Sequence, residues 1–334
     1  MSRRAWIQFG FLAAFWGASY LFIKVALDDV FEPPMVVFIR TALAALVLIP
    51  FALKGGALPS LRGSVGVIAF LALLQVAAPF MLISFGQEHI SSSLAGILVA
   101  TAPIFTFLLA IWISQEERVH GIGLAGVGLG ILGVVLLLGI DAGGGTAALA
   151  GGMMVVLASL GYALGAYYLK RNLSGIEPTA IVAATMAASA LMAAPVAAFF
   201  LPTAGPSLEA VGSLTALGVL GTGISFVLFY DLIHTVGPAK ASLVAYIAPG
   251  FAVIYGVILL DESFTAATAA GLLLIVSGSW LAAEGRLPWQ PRVSAADREL
   301  AAGGVDVAPA GEAHGGGHPR AHEPAVECVD RLPA

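Results

Sequence analysis

The sequence repeats itself at a fixed offset. Shifted by 146 residues, Lys24 falls on Lys170, Pro103 on Pro249 and Glu116 on Glu262. The same shift lays Gly66 on Gly212, Leu71 on Leu217, Leu74 on Leu220, Phe80 on Phe226 and Leu82 on Leu228. It also pairs Ala95 with Ala241, Ala102 with Ala248 and Phe105 with Phe251, and no gap is needed. Leucine and alanine matches come easily in an apolar chain, but lysine, proline and glutamate matches do not. Two copies of one unit constrain the fold to two similar halves.

Those halves belong in a membrane. The 334 residues are 59% hydrophobic and only 10% charged, with a mean hydropathy of +0.96. Soluble domains carry roughly 25% charged residues. The apolar residues recur in blocks of about 20, the length that crosses a hydrocarbon core. These blocks predict an all-α integral membrane protein with ten helices at 5–27, 34–53, 64–86, 91–114, 120–140, 149–169, 178–201, 209–233, 238–260 and 266–283. Turn signals separate them: Glu32-Pro33-Pro34, Lys54-Gly55-Gly56, Gly143-Gly144-Gly145, Glu177-Pro178, Pro202 with Gly205-Pro206, and Gly237-Pro238. The first block follows Arg3 and Arg4 as a signal peptide would. It is too long for a signal core and lacks a small-residue cleavage site before Lys24, so it reads as a retained span.

Basic residues set the orientation. Arg3, Arg4, Lys54, Arg62, Arg118, Lys170, Arg171 and Lys240 all fall on one side, followed there by Arg286, Arg292, Arg298, Arg320 and Arg331. The opposite loops hold Asp28, Asp29, Glu32, Glu88, Asp141, Asp261 and Glu262 and no Lys or Arg. Only Lys24 and Arg40, of 15 basic residues, lie within spans. Positive charge stays in the cytoplasm, which places both termini there and the chain in the plasma (inner) membrane as a multi-pass protein. Five spans per copy make the repeats inverted: residues 1–141 and 149–284, an arrangement many secondary transporters share. Residues 285–334 turn to Pro, Gly, Ala and scattered charge, the composition of a disordered cytoplasmic tail. Its His314, His318 and His322 fit a low-complexity tract better than a metal site, and Cys328 is the single cysteine. No metal or cofactor is expected.

The segment ISSSLAGILVATAPIFTFLLAIWISQEERVHGIGLAGVGLGILGVVLL resembles the fourth and fifth helices of EamA-type transporters of the drug/metabolite transporter superfamily. So does GTGISFVLFYDLIHTVGPAKASLVAYIAPGFAVIYGVILLDESFTAATAAGLLLIVSG in the second half, and WGASYLFIK and FIRTALAALVL are similar to the first two helices. The likeness includes the Ala-Pro pair in each fourth helix and the acids after it, Glu116/Glu117 and Glu262. Tyr162 departs from it, standing where the family often has tryptophan. The resemblance implies a basket with helices 1–4 and 6–9 around a central cavity and 5 and 10 outside. It implies no particular substrate, since such proteins carry amino acids, nucleosides, amines, vitamins and drugs.

Helix midpoints mark a candidate substrate site where inverted-repeat transporters place theirs. Trp16, Gln75, Thr101, Tyr162, Thr222 and Tyr246 lie at or near mid-depth, with Tyr20 one turn beyond Trp16. Gln75 is an amide near the bilayer centre, where an unpaired polar group is costly; it either contacts substrate or bonds a neighbouring helix. Gly221-Thr222-Gly223 permits close approach or unwinding in helix 8. Pro103 and Pro249 each free a carbonyl four residues back, Val99 and Ala245, and read as passive kinks or as matched hinges.

Arg40 is the least ordinary residue. It lies about 5 Å by helical rise from the centre of helix 2, with no carboxylate at that depth. Such a charge usually lines a protein interior. It is either an anchor for a substrate carboxylate or an arginine tied to carbonyls and helix ends. Lys24 has Asp28 at i+4 to pair with. The absence of mid-depth acids disfavours proton coupling, leaving facilitated diffusion or exchange. Gly126 and Gly130 in helix 5 serve internal packing or a homodimer contact.

The leading reading is an alternating-access carrier of a small polar metabolite such as an amino acid, an exporter by family analogy. The rival is an exporter of lipophilic or quaternary cations stacked on Trp16, Tyr20, Tyr162 and Tyr246. Partners are then the small-molecule substrate and the lipid bilayer, with no nucleic acid. An enzyme needs a catalytic pair at one depth, and His89, His120 and His234 fall at span ends or loops. A scaffold needs no paired kinks.

Overall fold

The computed structural model describes residues 2–56, 58–113, 121–141 and 145–284. Glu116, Glu117, Arg118, His120 and the whole tail, with its three histidines and Cys328, lie outside the described residues. Within them every long element is a helix and no strand occurs. A bilayer imposes this, because its core offers no water to satisfy backbone polar groups.

In chain order the helices are α1 (Arg3–Leu27), α2 (Pro33–Lys54), α3 (Val65–Gln87), α4 (Ser92–Val99 and Ala102–Ile113), α5 (Gly121–Leu136), α6 (Thr146–Asn172), α7 (Pro178–Ala197), α8 (Leu208–Val236), α9 (Pro238–Ala241 and Val244–Leu259) and α10 (Ala266–Glu284). Among the described residues nine helices are long and apolar enough to cross a membrane, and the main part of α9 is a shorter apolar one. The chain is thus a membrane protein of many apolar helices. Its outward side chains agree: Phe11, Leu46, Phe70, Ile131, Leu191 and Leu273 are exposed, as only a lipid solvent tolerates.

Local chemistry places the ends. Ser2, Ser91 and Ser207 accept from the backbone N–H three residues on, capping α1, α4 and α8. Glu177 does the same for α7 ahead of Pro178. Thr265 and Thr268 reciprocate at the start of α10. Gly237, at φ 85°, ends α8 in a conformation that a side chain rarely adopts, and Pro238 opens α9 directly after it.

Besides the π turn that ends α5 at Leu137–Asp141, two helices carry one within their length, at Leu73–Ala77 in α3 and Val219–Ile224 in α8. Their starts are 146 residues apart, the offset of the sequence repeat. A π turn leaves carbonyls to find other donors. In α8 the Thr222 and Ser225 hydroxyls supply them, donating to the Leu217 and Leu220 carbonyls at 3.0 and 2.6 Å. In α3 the Ala72 carbonyl accepts from Ser189 of α7 at 3.2 Å.

The core is unevenly divided along the bundle. At the end where α1 finishes and α2 begins, one cluster draws on every helix, from Ile23, Val36 and Ile83 to Leu94, Leu138, Val155, Ala197, Leu214, Val253 and Ile275. At the other end the apolar contacts split. Phe9 and Leu12 of α1 pack on Leu232 and Val244. Ile68 and Leu71 pack with Leu173 and Ile181. Ile104, Val127 and Ala282 form a third group. A further cluster, with Val37, Leu48 and Ala52 of α2, Val76 and Phe80 of α3 and Met186 and Ala193 of α7, runs along those three helices. The apolar core is thus most continuous at the first end and in separate pieces at the other.

Candidate substrate site around Arg40

α2 brings Arg40 inward, where it is 8% exposed and the only buried charged residue among those described. Close helix contacts deliver its partners. Side chains at Gly218 and Gly223 would collide with Leu43 and Val47 of α2, and one at Gly221 would meet Ser19 of α1 at 2.7 Å. Bare backbone at these positions lets the π turn of α8 lie against both helices, which sets Thr222 beside Arg40. The Arg40 Nε donates to Thr222 Oγ1 at 2.9 Å. On another side, the guanidinium carbon sits 3.6 Å from the centre of the Phe80 ring. That is cation–π distance. Tyr20 and Tyr162 bring their phenols within electrostatic reach of the same charge.

Four sequence-selected residues, Tyr20, Arg40, Tyr162 and Thr222, therefore converge. Among the described residues Arg40 takes no backbone carbonyl. Its two Nη nitrogens have no hydrogen-bond partner among the described residues, and neither is among the sealed unpaired polar atoms. Nor does any described carboxylate pair with Arg40; the ion pairs are Arg4–Asp231 and Lys24–Asp28, at 3.6 and 3.2 Å.

Other selected residues lie around or outside this group. Trp16 packs on Phe226 and Phe229, with ring centres at 6.3 and 5.2 Å, and Phe226 stacks on Tyr230. Gln75 is half-buried in the π turn of α3, where α6 comes close at Gly165. Thr101 spends its hydroxyl on the Leu98 carbonyl of its own helix, at 2.7 Å. Tyr246 faces α10, its ring 5.6 Å from Trp280.

The two prolines differ. α4 breaks at Ala100–Thr101, just before Pro103, whereas Pro249 lies inside the unbroken helix Val244–Leu259. The gap in α9 falls earlier, at Ser242 and Leu243. Carbonyls at the α4 break are taken by serines from elsewhere: Ser159 reaches Val99 at 3.3 Å and Ser279 reaches Ala100 at 2.5 Å. Gly126 and Gly130 face α10, where a side chain on Gly278 would strike both. That stripe is used inside the chain.

Sequence reasoning missed Phe80, Ser159, Ser279 and the role of Glu262. Phe80 carried a signal, since the repeat offset pairs it with Phe226, which serves Trp16 as Phe80 serves Arg40. Glu262, from the loop between α9 and α10, accepts from the Ser92 and Ser93 N–H groups at 2.6 and 2.9 Å and from the Ser93 hydroxyl at 2.5 Å. It caps the N-terminus of α4 at the end that holds the large apolar cluster. Beside it a polar recess of about 350 Å³ is lined by Lys24, Glu88, His89 and Ser263 among others.

A model of the EamA-like transporter family matches residues 4–139 and 149–283. The chain belongs to this family. An Escherichia coli K12 relative called "Uncharacterized inner membrane transporter YedA" is 28% identical over 245 residues, 72% of this chain and 78% of the relative. An "Uncharacterized transporter" of Archaeoglobus fulgidus is 23% identical, over 83% of this chain and 98% of its own. A third relative, from E. coli K12, is called "Probable amino-acid metabolite efflux pump" and is 24% identical over 88% of this chain and 99% of the relative. A solved structure named only "Crystal structure of protein" superposes with a TM-score of 0.62 at 20% identity, over 84% of this chain and 98% of that one, which shows the shared fold. EamA-like membership and the many apolar helices make the chain a multi-pass membrane transporter. What the Arg40 group offers such a protein is a held cation whose two Nη nitrogens have no partner among the described residues.

Proposed function

We propose that this EamA-like protein is an alternating-access carrier of small organic carboxylates such as amino acids, with Arg40 as the anchor for the carboxylate. One observation carries the reading: a buried guanidinium whose Nη edge has neither a carboxylate nor a backbone partner among the described residues. Retaining such a charge is expensive, and a ligand that completes its hydrogen bonds offsets the cost only while bound. Tyr20 and Tyr162 complete the polar wall, Thr222 holds Arg40 from behind, and Trp16 with Phe226 supplies an apolar wall.

In this reading α1 to α5 and α6 to α10 are two inverted repeats of five spans each, ten in all, with both termini in the cytoplasm. The matched π turns support the repeat, and the basic loops support the orientation. The fragmented end of the core is then the cytoplasmic one, and the carrier is open inward. Direction is export, supported by the relative named as an amino-acid metabolite efflux pump. Coupling runs by facilitated diffusion or exchange, since the deepest acid, Asp231, is engaged by Gln8 and Arg4 near the surface.

Proteoliposomes holding the purified protein test this with labelled amino acids and organic cations, with empty or preloaded lumens, beside an Arg40→Ala protein. Amino-acid flux that falls at least about tenfold in the variant is expected, as loss of a charge-assisted hydrogen-bond pair requires. Acceleration by preloading identifies exchange. Cation flux indifferent to the substitution overturns the carboxylate reading.

A further inference from the structure

We propose that Phe80 is a positioning residue for Arg40, and that Phe80 and Thr222 together shape Arg40 into a receptor for a single carboxylate. The proposal rests on the carboxylate reading above. A guanidinium is a plane with five N–H donors in a fixed fork. Here one face lies on the Phe80 ring, at 3.6 Å, and the Nε edge is held by Thr222, at 2.9 Å. What remains is the edge formed by the two Nη groups. That edge matches one carboxylate with two parallel hydrogen bonds.

The direction of the Thr222 bond is fixed from behind. Its hydroxyl hydrogen is committed to the Leu217 carbonyl, at 3.0 Å, so the oxygen presents a lone pair to Arg40 and nothing else. The π turn makes this possible by offering a carbonyl five residues back. Phe80 is set equally firmly, 6% exposed and packed with Val37, Val76 and Met186. Lacking either support, a side chain with four rotatable bonds would sample many orientations and lose entropy on binding. Lysine at this position keeps the charge but not the plane or the fork.

The repeat explains why one carboxylate is taken and not two. At the offset of 146 residues, Phe80 corresponds to Phe226 and Arg40 to Met186. Both halves thus keep a ring, Phe226 against Trp16 and Phe80 beneath Arg40, but only one keeps a cation. Met186 is itself packed away, 1% exposed, and Arg40 is the one buried charged residue among those described, so a second carboxylate finds no second cation and meets aromatic rings. Acids with one carboxylate fit; dicarboxylates are left with an unpaired charge in an apolar wall.

Binding to the purified full-length protein tests this, with the standard amino acids and hexanoate as probes. The acid that binds most tightly is then compared with its own primary amide. Wild type is expected to prefer acid over amide by about thirtyfold, the scale of a charged hydrogen-bond pair. Phe80→Leu is expected to shrink that ratio about tenfold, and Phe80→Trp to preserve it because the ring face remains. The ratio separates positioning from packing, since a merely structural defect weakens acid and amide alike. Should Phe80→Leu fail to fold, Thr222→Val removes the Nε acceptor at nearly constant volume and is expected to shrink the ratio too. Equal acid and amide affinity in wild type, or no binding of any acid, overturns the carboxylate reading itself. A wild-type preference that survives Phe80→Leu (or Thr222→Val in its place) overturns the positioning role alone. Glutamate or aspartate binding tighter than glutamine or asparagine overturns the single-carboxylate assignment.

Discussion

Arg40 shows how a buried charge is kept without a counter-ion: a ring below, a hydroxyl at one edge and two phenols nearby share the work a carboxylate would do alone. The opposite case sits at the membrane surface. Burial pushes the Glu88 carboxyl above its ordinary range, with Glu32 adding to the effect and His89 and Lys24 opposing it. A folded pKa above the unfolded one means the ionised form is disfavoured in the native state. The stability this gives is present below the unfolded pKa and is lost as pH rises through the folded value. Glu88→Gln is therefore expected to melt like wild type at about pH 4 and above it at about pH 8, read by thermal unfolding at both pH values. Depth along a helix is enough to single out Arg40, Tyr20, Tyr162 and Thr222 from sequence, because an ionic or hydroxyl-bearing side chain is rare there. Phe80 is not legible in the same way. Its ring is one of 18 phenylalanines, and beyond the repeat match with Phe226 only its partner distinguishes it.

Among the helices, α4 is the one assembled from outside. Its first turn is capped by a glutamate about 170 residues away in sequence, and the carbonyls at its break are filled by Ser159 of α6 and Ser279 of α10. Glu262→Ala removes acceptors from two backbone N–H groups and a hydroxyl, and a loss of about 1–2 kcal/mol is expected, measured as a lower unfolding temperature of the intact protein. Gly256 leaves room for that carboxylate; a methyl there would strike both Glu262 and Ser93, so Gly256→Ala is expected to destabilise at least as much. The sequence match between Glu116 and Glu262 signals that the position matters. It does not signal a cap, because the capped helix is distant in the chain. Proline spacing misleads in the opposite way: Pro103 adjoins a break and Pro249 does not, since a kink depends on whether neighbours take up the freed carbonyls.

Over the whole molecule, hydropathy and the repeat account for the helical architecture, while the division of the core could not be read from them. Which ends pack together depends on the conformational state, and both states share one sequence. In a Cys328→Ser background, Phe229→Cys at the divided end is expected to react with a soluble maleimide, and Ala95→Cys, 0% exposed in the large cluster at the other end, to resist it. Equal labelling of both would remove the inward-open assignment. The barrier of the proposed inward-open state also has an electrical meaning. A membrane potential falls mainly across the barrier, so Arg40 lies on one side of that drop when the carrier faces in and on the other when it faces out. In the proposed cycle the empty carrier thus moves a positive charge through the field. A potential negative inside draws the empty exporter back toward the cytoplasm, with up to about 2.3 kcal/mol per 100 mV available to that step. A bound monoanion cancels the charge on the way out, whereas a bound zwitterion leaves it in place. The unpaired arginine makes the carrier's own return a current, and the voltage dependence of export would report the net charge of what it carries.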